Sequence, residues 1–183
     1  MHDQDPPGGG RYGPRAPGAP TREREPSGLH DLDAVVGAAA RTGGQILASD
    51  VMSTPVRTVP HDARASDAEQ LMHGEREVQH LVVVDEAGRV VGVVSDRDLR
   101  AAEPSMLLVR DAAHRERALA LLKVANVMTG NPYSVHPTAN LRSALLLMRR
   151  HKIGCLPVVD DAHKPVGIIT GFDVIKIALR LLP

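Results

Sequence analysis

The chain repeats itself. Val51-Met52-Ser53 recurs as Val127-Met128-Thr129, Thr58-Val59 as Ser134-Val135 and Leu71-Met72 as Leu147-Met148, each at an offset of 76. After one extra residue in the first copy, Leu81-Val82-Val83-Val84-Asp85 matches Leu156-Pro157-Val158-Val159-Asp160 and Val91-Gly92-Val93-Val94-Ser95 matches Val166-Gly167-Ile168-Ile169-Thr170, both at 75. Register held over this length marks two copies of one supersecondary unit, and such units cover their apolar faces with one another. A copy of about 50 to 60 residues buries too little surface to be stable alone. The two copies are therefore expected to pack through their sheets into one module.

Each copy reads as β-α-β-β-α. A short β segment at 57–59 (133–135 in the second copy) precedes a helix at 63–74 (139–151), where Ala68, Leu71 and Met72 have helical spacing. Two apolar runs follow, 81–84 and 90–94 in the first copy and 156–159 and 166–169 in the second. Unbroken apolar runs around a short polar turn read as the buried strands of a hairpin. A helix then opens at Asp96 and at Gly171. The fold class is α/β (α+β), two tandem units in sequence. Between them, Leu, Ala, Arg and Glu predict a helical connector over 104–123, broken from the preceding helix by Pro104.

Outside the repeats the composition changes. Residues 1–28 hold six of the 14 prolines and six of the 16 glycines, so this stretch lacks the apolar surface to offset its ordering entropy. Residues 1–44 are read as a disordered tail and linker, with helix and linker both open for the Leu29, Leu32, Val35 and Val36 stretch. The organisation expected is tail 1–44, first repeat 46–103, connector 104–123 and second repeat 124–183. Charge is balanced, 22 Lys+Arg against 22 Asp+Glu, which gives no general attraction to nucleic acid or an anionic membrane. No apolar stretch approaches the roughly 20 residues of a membrane span. The start of the chain has neither the basic residues nor the apolar run of a signal peptide. With a single cysteine, Cys155, a cytoplasmic location is expected and a Cys-rich zinc site is excluded.

The chemistry-bearing residues lie where each hairpin gives way to its helix. Ser95-x-x-Asp98 and Thr170-x-x-Asp173 have the spacing of a capping box, in which a hydroxyl and an acid three residues on satisfy free amides at a helix start. The same carboxylate can accept two vicinal hydroxyls, and a helix start favours a phosphate. Both readings stay open from the residues alone. His151 and Cys155 have i,i+4 spacing without a third ligand, and Cys155 has no evident base. Neither a metal site nor a nucleophile is expected.

Taken together, Val-Met-(Ser/Thr), the apolar-Pro-Val-Val-Asp strand complete in 156–160, and Gly-h-h-(Ser/Thr)-x-x-Asp in 92–98 and 167–173, where h is apolar, resemble the CBS-domain family over residues 46–180. Within it the chain is similar to stand-alone bacterial two-CBS proteins, the acetoin-utilization type among them. That resemblance implies a Bateman module, a non-enzymatic regulatory pair that takes AMP, ADP, ATP or S-adenosylmethionine in the cleft between repeats. It also implies a homodimer, no required cofactor, and a signal passed in trans to an unknown protein effector.

Site residues follow from the same resemblance. Asp98 and Asp173 would meet the ribose, with Ser95 and Thr170 beside the sugar or phosphate. Backbone at Arg57-Thr58 and Tyr133-Ser134, with Leu81 and Val83 in the first copy and Leu156, Pro157 and Val158 in the second, would border the adenine, and these apolar strand residues are also expected to pack in the core. Arg97, inside the first motif, has the charge to pair with a phosphate, with an exposed surface arginine as the equal alternative, and Phe172 replaces it in the second copy. Tyr133 and Phe172 are two of only three aromatic rings, with Tyr12 the third, so an adenine-facing surface is expected in the second copy. The alternative reading is a structural or interaction protein with empty clefts and a partner-recruiting tail.

Overall fold

The computed structural model describes residues 44–73, 78–102, 117 and 119–182. Almost all of the proposed tail and most of the connector lie outside them. In chain order the elements are α1 (Ala48–Val51), β1 (Thr58–Pro60), α2 (Ala65–Met72), β2 (His80–Val84), β3 (Val90–Ser95) and α3 (Asp96–Ala102). They continue with α4 (Val124–Val127), β4 (Thr129–Gly130), α5 (Leu141–His151), β5 (Cys155–Val159), β6 (Pro165–Thr170) and α6 (Gly171–Leu181).

Both hairpins form as the apolar runs predict. β2 pairs with β3 and β5 with β6, both antiparallel, and each ladder shifts register at the same repeat position, between Val83 and Val84 and between Val158 and Val159. The turns are built alike. Asp85 Oδ1 accepts from the N–H groups of Ala87 (2.9 Å) and Arg89 (2.8 Å), and Asp160 Oδ1 from those of Ala162 (3.0 Å) and Lys164 (2.8 Å). Such side-chain acceptors stand in for a backbone partner and fix the turn. β1 runs parallel to β2, Thr58 opposite Val82, and Val135 makes the equivalent parallel bridge to Val158.

The packed units do not follow the sequence copies. The opening segment of each copy crosses to the other. In the second unit, the N–H of Ala48 donates to Ala139 O (2.8 Å), that of Ser49 to Pro137 O (2.9 Å) and that of Leu141 to Ile46 O (2.8 Å), while Ser53 bridges Ile168. In the first, the N–H of Val124 donates to Ala63 O (2.8 Å), that of Ala125 to His61 O (2.9 Å) and that of Ala65 to Leu122 O (2.8 Å). β4 then adds to β3, Thr129 opposite Val93. One core accordingly joins Ala48 and Val51 to Leu141, Ala144, Leu156, Val158, Ile169 and Ile177, and the other joins Leu119 and Val124 to Val59, Met72, Leu81, Val83, Val94 and Leu99.

A third cluster binds the units to each other through their sheets. Val82 and Val90 of the first meet Cys155, Val159 and Ile168 of the second. Successive strand residues point to opposite faces, so Leu81 and Val83 serve their own helices while Val82 serves the partner sheet. Burial on both faces is why these strands read as continuous apolar runs instead of alternating ones. The Val90 N–H also donates to His163 O at 3.0 Å, joining β3 to the opposite hairpin turn.

The exchange explains two motifs at once. A Cβ built on Gly167 would land on Met52 Sδ and lie 3.1 Å from Met52 Cβ, and one on Gly92 would land on Met128 Sδ and lie 3.2 Å from Thr129 O. Each Val-Met opening thus needs the glycine of the other copy's final strand. Gly167→Ala is expected to force Met52 off its seat and cost about 1–3 kcal/mol, the range for overpacked cores. Urea denaturation of the variant measures this, and an unchanged midpoint would show that the close approach is dispensable.

Candidate functional site

Two helix starts carry the polar groups singled out above. At the first, the Ser95 N–H and hydroxyl donate to Asp98 Oδ2 at 2.8 and 2.6 Å, and the Asp98 N–H donates back to Ser95 Oγ at 3.2 Å. This is the reciprocal capping box. At the second, the Thr170 N–H and hydroxyl donate to Asp173 Oδ2 at 2.8 and 2.9 Å. Asp173 is the one buried charged residue among those described, 3 % exposed, and its Oδ1 takes the Ser53 hydroxyl (2.8 Å) and the Lys176 ammonium (3.4 Å).

Asp98 lies at the seam between the units. His80 opens β2 opposite Ser95, and a Cβ on Gly154 of the other unit would come within 3.5 Å of His80 Nε2. Burial pulls the His80 pKa below its ordinary value, against the opposing pull of the Asp98 carboxylate. Burial likewise pushes the Cys155 thiol up to about 12, with Asp98 adding to the rise. A thiol held protonated is a poor nucleophile. Among the described residues no group of three His, Cys, Asp or Glu side chains could hold a metal ion.

The flanking residues divide into two sets. Arg57 and Tyr133, at equivalent repeat positions, each reach the last turn of the following helix. The Arg57 guanidinium donates to Leu71 O at 2.7 Å, and the Tyr133 ring stands 4.2 Å from that of His151. Thr58, Arg97 and Phe172 are exposed, Ser134 is half-buried, and Tyr133 keeps 44 % of its surface. Leu81, Val83, Leu156 and Val158, by contrast, have no exposed surface and belong to the two cores. Pro157 is buried as well. The strand residues that border the seam are their neighbours Val82, His80 and Cys155, which the sequence reading did not single out as ligand contacts. Strand alternation could have found them, had the face turned to the other sheet been known. Ser53 belongs to the repeated Val-Met-(Ser/Thr) motif, but its bond to Asp173 spans 120 residues and leaves no local signal.

Comparison with known proteins decides the family. A model of the CBS domain matches residues 48–105 and 124–180. The chain belongs to the CBS-domain family. A CBS domain-containing protein of Dictyostelium discoideum is 30 % identical over 138 residues, which is 75 % of this chain and 94 % of that protein. Among solved structures, a Vibrio cholerae protein assigned to acetoin utilization (AcuB) is 34 % identical with a TM-score of 0.61, covering 76 % of this chain and 94 % of that one. The Arabidopsis thaliana CBS-pair protein CBSX2, solved in complex with AMP, is 28 % identical with a TM-score of 0.60, covering 75 % and 99 %. Of other relatives the chain spans a much smaller share, as with 23 % of a homoserine O-acetyltransferase from Methanococcoides burtonii. The chain is thus a tandem CBS pair whose two repeats form the mixed α/β fold expected from the motifs. No helix among the described residues is long and apolar enough to cross a membrane.

The buried, protonated thiol leads to a chemical expectation. Ellman's reagent at pH 8 should leave Cys155 unmodified in the folded CBS pair and label it fully in urea. Rapid labelling of the native protein would contradict the burial on which the seam geometry rests.

Proposed function

We propose that this CBS pair is a non-enzymatic regulatory protein of the cytoplasm that takes an adenosine-containing ligand, AMP, ADP, ATP or S-adenosylmethionine, between its repeats and signals in trans. The observation that carries the reading is the Ser95-x-x-Asp98 helix start at the seam, a part-buried carboxylate held in place by its own capping box. A carboxylate is the natural acceptor for a vicinal diol. Thr170-x-x-Asp173 is the second candidate, and the exposed Arg97, Thr58, Tyr133 and Phe172 supply groups for phosphate and base. The AMP complex of CBSX2 supports the ligand class. No cofactor is required for this role, because a ligand acts by preferring one of two packings of the module and shifting their balance.

Homodimerisation belongs to the same proposal. Phe172, Ile175, Leu179 and Leu182 follow helical spacing along α6 and its end, and are 58, 54, 66 and 65 % exposed. A continuous apolar stripe of that kind marks an interaction surface, and a second copy offers a matching one about a twofold axis.

Calorimetric titration of AMP should give saturable binding, and Asp98→Ala should weaken it by about tenfold or more; a featureless titration with AMP, ADP, ATP and S-adenosylmethionine alike would defeat the ligand reading. In sedimentation experiments the wild type should run as a dimer and the Ile175→Glu/Leu179→Glu variant as a monomer, and an unchanged dimer would place the interface elsewhere.

A further inference from the structure

The two repeats place the same acid at the same position and surround it differently. Asp173 has both oxygens engaged, Oδ2 by Thr170 and Oδ1 by Ser53 and Lys176. Asp98 has Oδ2 engaged by Ser95, whereas no described residue donates to Oδ1. The difference is written in the sequence. The repeat counterpart of Lys176 is Ala101, which has nothing to donate. The counterpart of Ser53 is Thr129, which is exposed on β4 and, among the described residues, makes no hydrogen bond to Asp98.

We propose that the two half-sites have diverged in role: Asp98 is the carboxylate that receives the ligand's vicinal diol, one ligand per chain, and Asp173 is a latch that fastens residues 46–53 to the second unit. At Asp98 a diol can bond to Oδ1 without displacing any of the described groups. At Asp173 it would have to displace the Ser53 hydroxyl from a buried carboxylate, and leaving a buried polar group without its partner is unfavourable. It would also loosen the segment that seats Met52 on Gly167. The ligand half of this inference rests on the nucleotide reading above, while the latch half does not.

Titration of AMP into the full chain should saturate at one equivalent, and Asp98→Asn, its fold checked by circular dichroism, should weaken AMP by about tenfold or more, the loss expected for a bond to a charged group. Two equivalents of AMP, or undiminished affinity in Asp98→Asn, overturn the assignment. The latch is read separately in urea. Ser53→Ala should lower the midpoint while the counterpart Thr129→Ala leaves it in place, and in an Asp173→Asn background the Ser53→Ala effect should vanish. Equal losses at Ser53 and Thr129, or a Ser53 effect that persists without the acid, overturn it. If wild type takes up no AMP, the nucleotide reading fails on its own and the urea series still decides the latch.

Discussion

The whole arrangement depends on the reciprocal seating of each copy's opening segment in the other copy's unit. Met52 lies on Gly167 and Met128 on Gly92, and backbone hydrogen bonds from residues 48 and 49 to Ala139 and Pro137 are mirrored by those from residues 124 and 125 to Ala63 and His61. Neither unit is complete without chain contributed by the other copy. The exchange leaves each hairpin with one face on its own helices and one free, and the free faces close on each other through Val82, Val90, Cys155, Val159 and Ile168. For apolar surface outside water the driving force is roughly 25 cal/mol per Å², and the seam adds such burial to that of the two separate cores.

That closure positions the polar groups. His80 and Cys155 occupy equivalent repeat positions, so packing sheet on sheet brings both to the seam beside Asp98, where burial alters the titration of both. The capping geometry is common to the copies because a helix start needs its amides satisfied wherever it stands. Among the described residues, what differs is the second oxygen of each acid, with Lys176 and Ser53 at Asp173 where Ala101 and Thr129 are the repeat counterparts at Asp98.

Much of this was legible in the residues. The hairpins, the long helices and the helix starts at Asp96 and Gly171 all form where the pattern puts them, because each is fixed by local hydrogen bonding and by periodicity within one element. The four-residue helices α1 and α4 leave no pattern in the residues, since a single turn is too short to show a period. Each is held instead by an acceptor three residues on, Asp50 taking the Leu47 N–H and Asn126 the Lys123 N–H. The strand residues read as adenine neighbours, Leu81, Val83, Leu156 and Val158, carry no exposed surface. An apolar run buried on both sides does not declare which face is which.

The sequence by itself determined the duplicated unit, its elements and its capping acids, because these are set by residue type and spacing within a few turns of chain. Tertiary structure alone decided which copy's opening segment completes which unit, which strand face meets the opposite sheet, and which acid has its second oxygen occupied. The reason is distance along the chain. Ser53 and Asp173 lie 120 residues apart, and only the packing of the two units brings such groups within a hydrogen bond.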